Sequence, residues 1–247
     1  MRIDRTVIRA GLVVLLAAGL VAAILAIHVI GNLIALAGGE LAVARHHAAP
    51  MDLTDTISRY GWQVENSGDD TRFNPWWTIP NGFQVFHHVP FQIDGAFPLW
   101  GESCAKKLHA NFPEHIPDLS VNQKFETLYL LDCCFYIEPN RTPVYEVVFH
   151  YEDGLTATNQ LAYGSDVLDW VANRRGRIVG PTAPNSKLAW VGGTWSPKTT
   201  IPIRLCMTAI KNPMPSIKVT SIDLNSCKST SAGCILGLTT GKSGLMR

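Results

Sequence analysis

Charge is what this chain has least of. Asp, Glu, Lys and Arg make up only 17% of its 247 residues, where a soluble domain carries about 25%. The few charges nearly cancel, 21 basic against 20 acidic for a formal net charge of +1. No broad field of one sign is left to hold nucleic acid. Also missing are a C-x-x-C pair, an H-E-x-x-H helix and a G-x-S-x-G elbow, the commonest zinc and hydrolase signatures. Gly237-Leu-Thr-Thr-Gly241-Lys242-Ser243 approaches a phosphate-binding loop but is one residue short. It also follows the last strand, with too little chain left for the helix such a loop needs. Beyond residue 50 there is no long amphipathic helix and no low-complexity tract. These absences leave no metal site to assign and favour a noncatalytic protein without nucleic-acid partners.

The apolar residues are concentrated at the start. Residues 10–37, AGLVVLLAAGLVAAILAIHVIGNLIALA, contain no Asp, Glu, Lys or Arg, and a membrane-spanning helix needs about 20 apolar residues. Arg2, Arg5 and Arg9 precede the stretch, while its far side offers Glu40 before Arg45. That bias holds residues 1–9 in the cytoplasm and sends the rest outward. Ala35-Leu36-Ala37 would suit a signal-peptide cleavage site, but the run is longer than the roughly 7–15 residues of a signal core, which favours a retained anchor in contact with membrane lipid. Small residues such as Gly11, Ala18 and Ala22 would let another helix approach.

His28 lies inside this span, with Asn32 one turn later on the same face. An ionisable residue in a membrane helix faces a partner or carries a function. A neutral imidazole there hydrogen-bonds a neighbouring helix, snorkels to the interface, or ligates a tetrapyrrole metal. The string around it, LLAAGLVAAILAIHVIGNLIAL, resembles the membrane helix of bacterial light-harvesting polypeptides. That resemblance implies a tetrapyrrole on His28, although Ile24 stands where the family favours Ala; the residues by themselves imply no cofactor.

Residues 38–59, with His46, His47 and Pro50, read as a linker, and residues 60–242 as one β domain followed by a short tail, 243–247. Val144–Tyr151 alternates as a half-buried strand, Asp153-Gly154 supplies a turn, and Leu155–Leu161 returns to make a hairpin. Further strands are expected over Gly82–Ile93, Lys124–Phe135, Leu188–Trp195, Thr200–Ile210, Lys218–Asn225 and Cys234–Thr240. Many short strands with regular turn signals imply a sandwich.

The segment Ile79–Gly95, IPNGFQVFHHVPFQIDG, resembles the opening of a jelly-roll module related to galactose-binding-like and other carbohydrate-binding domains. Later pieces follow in the same order: KFETLYLLD (Lys124–Asp132), VYEVVFHYEDG (Val144–Gly154), LAYGSDVLDWV (Leu161–Val171), AWVGG (Ala189–Gly193), IRLCMTAIKNPMP (Ile203–Pro215), VTSIDLNS (Val219–Ser226) and ILGLTTG (Ile235–Gly241). The chain departs from the pattern at His88, where the family has Gly, and at Asp132-Cys133, where His-Gly or His-Ala is common. The resemblance implies an all-β jelly roll behind one transmembrane helix, tethered to a bacterial inner membrane with its domain in the periplasm or outside the cell. The expected function is noncatalytic binding of a glycan or another protein. The alternative is an accessory subunit of a larger membrane complex, energy-transducing or pigment-containing, with His28 as an interhelical contact or tetrapyrrole ligand.

Six cysteines beyond the apolar segment suit an oxidising compartment and disulfides, with 15 pairings open. Cys227 and Cys234, read as the two ends of a hairpin between the last strands, are the favoured pair; Cys104 with Cys133 or Cys134 is the next. Trp62, Trp76, Trp77, Trp100 and Trp195 fall near loops or strand ends and could stack on sugar rings, whereas Trp170 and Trp190 read as core. Among the carboxylates, Asp132 and Asp153 have acid–base potential, but a hairpin Asp generally shapes its own backbone. Asp166 and Asp169 read as caps of a short turn.

Overall fold

The computed structural model describes residues 47–63, 79–172, 178–196 and 199–246, without the side chains of 62–63, 194–196 and 199–200. The apolar segment with His28 and Asn32, and the residues before it, lie outside this set. Among the described residues no helix is long and apolar enough to cross a membrane.

The described strands are β1 (Ala48–Pro50), β2 (Trp62–Gln63), β3 (Gly82–Phe86), β4 (Val89–Ile93), β5 (Gly95–Pro98), β6 (His115–Gln123), β7 (Thr127–Phe135), β8 (Pro143–Tyr151), β9 (Thr156–Ala162), β10 (Ser186–Ser196), β11 (Thr199–Lys211), β12 (Val219–Ser226) and β13 (Ala232–Gly241). Two short helices join them, α1 (Thr54–Tyr60) and α2 (Glu102–Leu108). Seven of these strands make one antiparallel sheet, ordered β10-β11-β7-β13-β5-β2 with β1 also on β13; four make a second, β6-β12-β8-β9; and β3-β4 form a separate hairpin.

The seven-stranded sheet is the middle layer. Alternate residues of a strand face opposite sides, so β7 sends Leu128, Leu130 and Cys134 to one core and Tyr129, Leu131, Cys133 and Phe135 to another. The first core lies between the sheets, where they meet Ile116 and Leu119 of β6, Tyr145, Val147 and Phe149 of β8, and Ile222 and Leu224 of β12. The second lies under the β3-β4 hairpin and α2, against Val89, Phe91, Ile93 and Cys104. Every residue of β7 is buried, and all of β13 up to Thr240. That explains their near-continuous apolar sequence, since a strand covered on both faces has no side for polar residues. Gly237 allows the close approach of the hairpin: a Cβ there would meet Phe91 Cδ1 at 3.0 Å.

The expected β8–β9 hairpin is present, with Gly154 at φ 86° and the Asp153 carboxylate accepting the Leu155 N–H at 3.1 Å. Gly82–Ile93, expected as one strand, is instead two. His87 (φ 47°) and His88 (φ 67°) are both left-handed and make a two-residue turn, the conformation for which Asn-Gly is the usual signal. Residues 48–59, expected as linker, pack with the β domain. β1 pairs with β13, and Met51, Leu53 and Ile57 are buried in the inter-sheet core. β6 was not anticipated. Pro117 and two bulges at left-handed Asp118 and Asn122 obscure it, which an edge strand tolerates.

Candidate functional site

The expected Cys227–Cys234 link is not present, because β12 and β13 are not a hairpin. They belong to different sheets, and residues 227–231 cross between them. Cys227 is half-buried near Gln160 and Glu146, while Cys234 is buried in the second core opposite Cys133 of β7. Cys104 joins that same core and feels the charge of Cys234. All six thiols are free. Burial pushes the Cys104 and Cys227 thiols up to about 11 and those of Cys133, Cys134 and Cys206 further. None of these five is poised as a thiolate.

Asp132 is the most unusual of the carboxylates. Alternation along β7 turns it into the inter-sheet core, opposite Cys206 of β11 and two residues from Cys134, with no exposed surface. The Tyr145 hydroxyl donates to Oδ2, and Oδ1 is buried without a hydrogen-bond partner. Desolvation holds its pKa well above the usual carboxylate range; the Tyr145 hydrogen bond opposes this and nearby Asp166 adds to it. Burial of this kind favours the protonated, neutral carboxyl.

The other carboxylates singled out from the sequence fasten loops. Asp166 accepts the Ala162 N–H at 3.0 Å and the Ser186 hydroxyl at 3.3 Å. Asp169, raised to about 6 mainly by burial, accepts the Val171 N–H at 3.3 Å. Beside it, buried Arg204 donates Nε to the Asp169 carbonyl and Nη1 to that of Val179, both at 2.9 Å, pinning two loops to β11. Of the tryptophans, Trp100, Trp170 and Trp190 are half-buried, the last two packed on the second core, where Trp170 meets Phe135 edge-on at 6.2 Å. Trp76 and Trp77, and the side chains of Trp62 and Trp195, lie outside the described residues.

Three surface features were not apparent from the sequence. The first is a polar patch on the four-stranded sheet. Asp223 lies 3.0 Å from His150 Nε2 and 4.0 Å from His115 Nε2, and accepts the Asp118 N–H at 2.9 Å. The two histidines stand on opposite flanking strands at different levels of β12, paired with Asn225 and Ser221. Among the described residues no group of three such side chains is arranged to hold a metal. The second is a corner where Leu108, at the end of α2, is 60% exposed and Ile137, just past β7, is 72% exposed. Their segments adjoin, since Lys107 Nζ sits 4.6 Å from the Tyr136 ring centroid.

The third is a cleft of about 390 Å³ where the chain enters the domain, lined by residues 47–49, 123–126, 215 and 240–242. Lys124 and Lys242 are exposed on its rim and Phe125 is buried beneath. Glu126 is held ionised by the Ser243 N–H at 2.9 Å. No family model, no curated protein and no solved structure matches this chain.

Proposed function

We propose that this chain is a noncatalytic, membrane-anchored interaction module whose β domain stands outside the cytoplasm. Residues 10–37 would be the anchor, and the three arginines before them keep the start of the chain inside. The observation that carries the interaction reading is the exposed pair Leu108 and Ile137, at 60% and 72%, on adjoining segments. Contiguous exposed apolar surface marks contact with a partner, whereas single scattered side chains need no explanation. The noncatalytic reading is supported by Asp153, Asp166 and Asp169, each engaged in fastening backbone, and by the closed surroundings of Asp132.

The partner we favour is another protein subunit, which makes the chain an accessory component of a membrane complex. A glycan ligand is supported by the resemblance of Ile79–Gly241 to carbohydrate-binding jelly rolls, and jelly-roll topology belongs to that same reading. Native sizing of the full chain, extracted in a mild detergent, tests the favoured reading. It should run in an assembly larger than one chain, and Leu108→Asp with Ile137→Asp should release a lone monomer. A wild-type monomer that is retained on a glycan array would overturn the subunit reading in favour of the glycan.

A further inference from the structure

We infer that the cleft between Lys124 and Lys242 binds the phosphate of an anionic phospholipid headgroup, an inference that rests on the membrane-anchored reading. Its floor and walls come from four separate pieces of chain: the entry into β1, the β6–β7 turn, Pro215, and the end of β13. The register builds it, because β1 begins opposite Gly241 and β6 ends opposite Val219. Lys242 is fixed through its backbone, donating its N–H to the His47 carbonyl at 3.1 Å while its own carbonyl accepts the Tyr129 hydroxyl at 2.6 Å.

The charges are arranged for an anion. Neither Lys124 nor Lys242 is in an ion pair among the described residues. Glu126, the one acidic residue in the lining, is engaged by the Ser243 N–H. The lining thus carries two lysines against one carboxylate, whose ionised form Lys242 also favours. The apolar lining of Phe125, Pro215 and Ala48 suits the glycerol part of a lipid better than a bare inorganic ion. The sequence supplies the geometry: residues 38–47 alone separate the apolar segment from β1, a connection that reaches at most about 35 Å even when fully extended.

The test titrates full-length protein in a neutral detergent with dihexanoyl phosphatidylglycerol, dihexanoyl phosphatidylcholine or inorganic phosphate, following binding by calorimetry. Saturable binding of the phosphatidylglycerol is expected, weakened by salt. Lys124→Gln with Lys242→Gln should weaken it at least tenfold without changing the melting temperature, since both side chains are exposed. Equal binding of the phosphatidylcholine, or binding that the double variant leaves intact, would overturn the inference. Inorganic phosphate binding as tightly as the lipid would also overturn it, making the cleft a free-anion site. Detergent solution is indifferent to topology, so a failed titration is distinct from a failure of the membrane-anchored reading, which a cellular topology reporter measures.

Discussion

The two faces of the seven-stranded sheet are built by different rules. Toward the β3-β4 hairpin and α2, the sheet presents Tyr129, Leu131, Cys133, Leu205, Met207 and Leu236, and the hairpin answers with Val89, Phe91 and Ile93. Toward the second sheet it presents Leu128 and Leu130, but then Asp132, Arg204 and Thr208, all buried. Each of these polar residues needs a named partner there: Tyr145 for Asp132, the Asp169 and Val179 carbonyls for Arg204, and Ser186 and the Asp166 carbonyl for Thr208. The hairpin face also holds a buried polar group, the Thr239 hydroxyl bonded to the Pro90 carbonyl; apolar contacts specify little beyond volume, whereas a buried polar group that loses its partner costs its full desolvation. The inter-sheet face therefore adds the orientation of the loops to its apolar packing, while the hairpin face rests mainly on apolar packing.

The largest effect that would break this contrast comes from the hairpin face. Phe91→Ala removes a fully buried ring beside Gly237 and should cost about 3–5 kcal/mol in denaturant unfolding. A cost under about 1 kcal/mol would mean that the hairpin is not part of the core.

Next come the two buried tyrosines. Tyr145→Phe leaves the Asp132 carboxyl with neither oxygen bonded and should cost about 1–3 kcal/mol. Tyr129→Phe frees the Lys242 carbonyl and the Leu245 N–H, both beside the exposed end of the chain where water can replace the hydroxyl, and should cost less. Equal losses in the two variants would erase the difference between the faces.

The buried carboxylates also make stability depend on pH. Asp132 and Asp169 hold their protons in the folded state above the ~3.9 of an unfolded Asp, Asp169 to about 6 and Asp132 well above the usual range. Between those values the folded protein binds more protons than the unfolded chain, so stability falls as pH rises. The Asp169 contribution is complete below about pH 4 and lost by about pH 6; that of Asp132 continues to fall above it. Each unit over which Asp132 stays protonated is worth about 1.4 kcal/mol. Asp132→Asn should therefore gain on the wild type in melting temperature as pH is raised from 4.5 to 8, and a constant difference would show that Asp132 ionises normally.

The smallest effect is kinetic. Cys227, half-buried on the surface, should react first with an aromatic disulfide reagent in native protein, and the five buried thiols only on unfolding. Simultaneous reaction of all six would contradict the packing of both faces.

What the sequence discloses follows the same division. β8 and β9 are legible because their alternation is strict and Asp153-Gly154 is a recognised turn. β3 and β4 merge into one expected strand because the left-handed pair His87-His88 gives no signal in residue type. The Cys227–Cys234 expectation fails for a reason of topology: consecutive strands are usually neighbours, and here the chain crosses from one sheet to the other. Asp132 is visible as a lone carboxylate inside Thr127–Phe135, yet its burial depends on Tyr145 from the opposite sheet. Lys124, Lys242 and the Leu108–Ile137 corner leave no local pattern, because each site is assembled from segments far apart in the chain.

In the proposed reading, residues 10–37 stay in the bilayer and hold the β domain outside the cytoplasm. A phosphatase that becomes active only after export, fused behind Arg247 and compared with a fluorescent reporter that matures only in the cytosol, measures this directly. An active phosphatase, a dark fluorescent fusion and full-length chain in the membrane fraction are expected. A bright cytosolic fusion would contradict it.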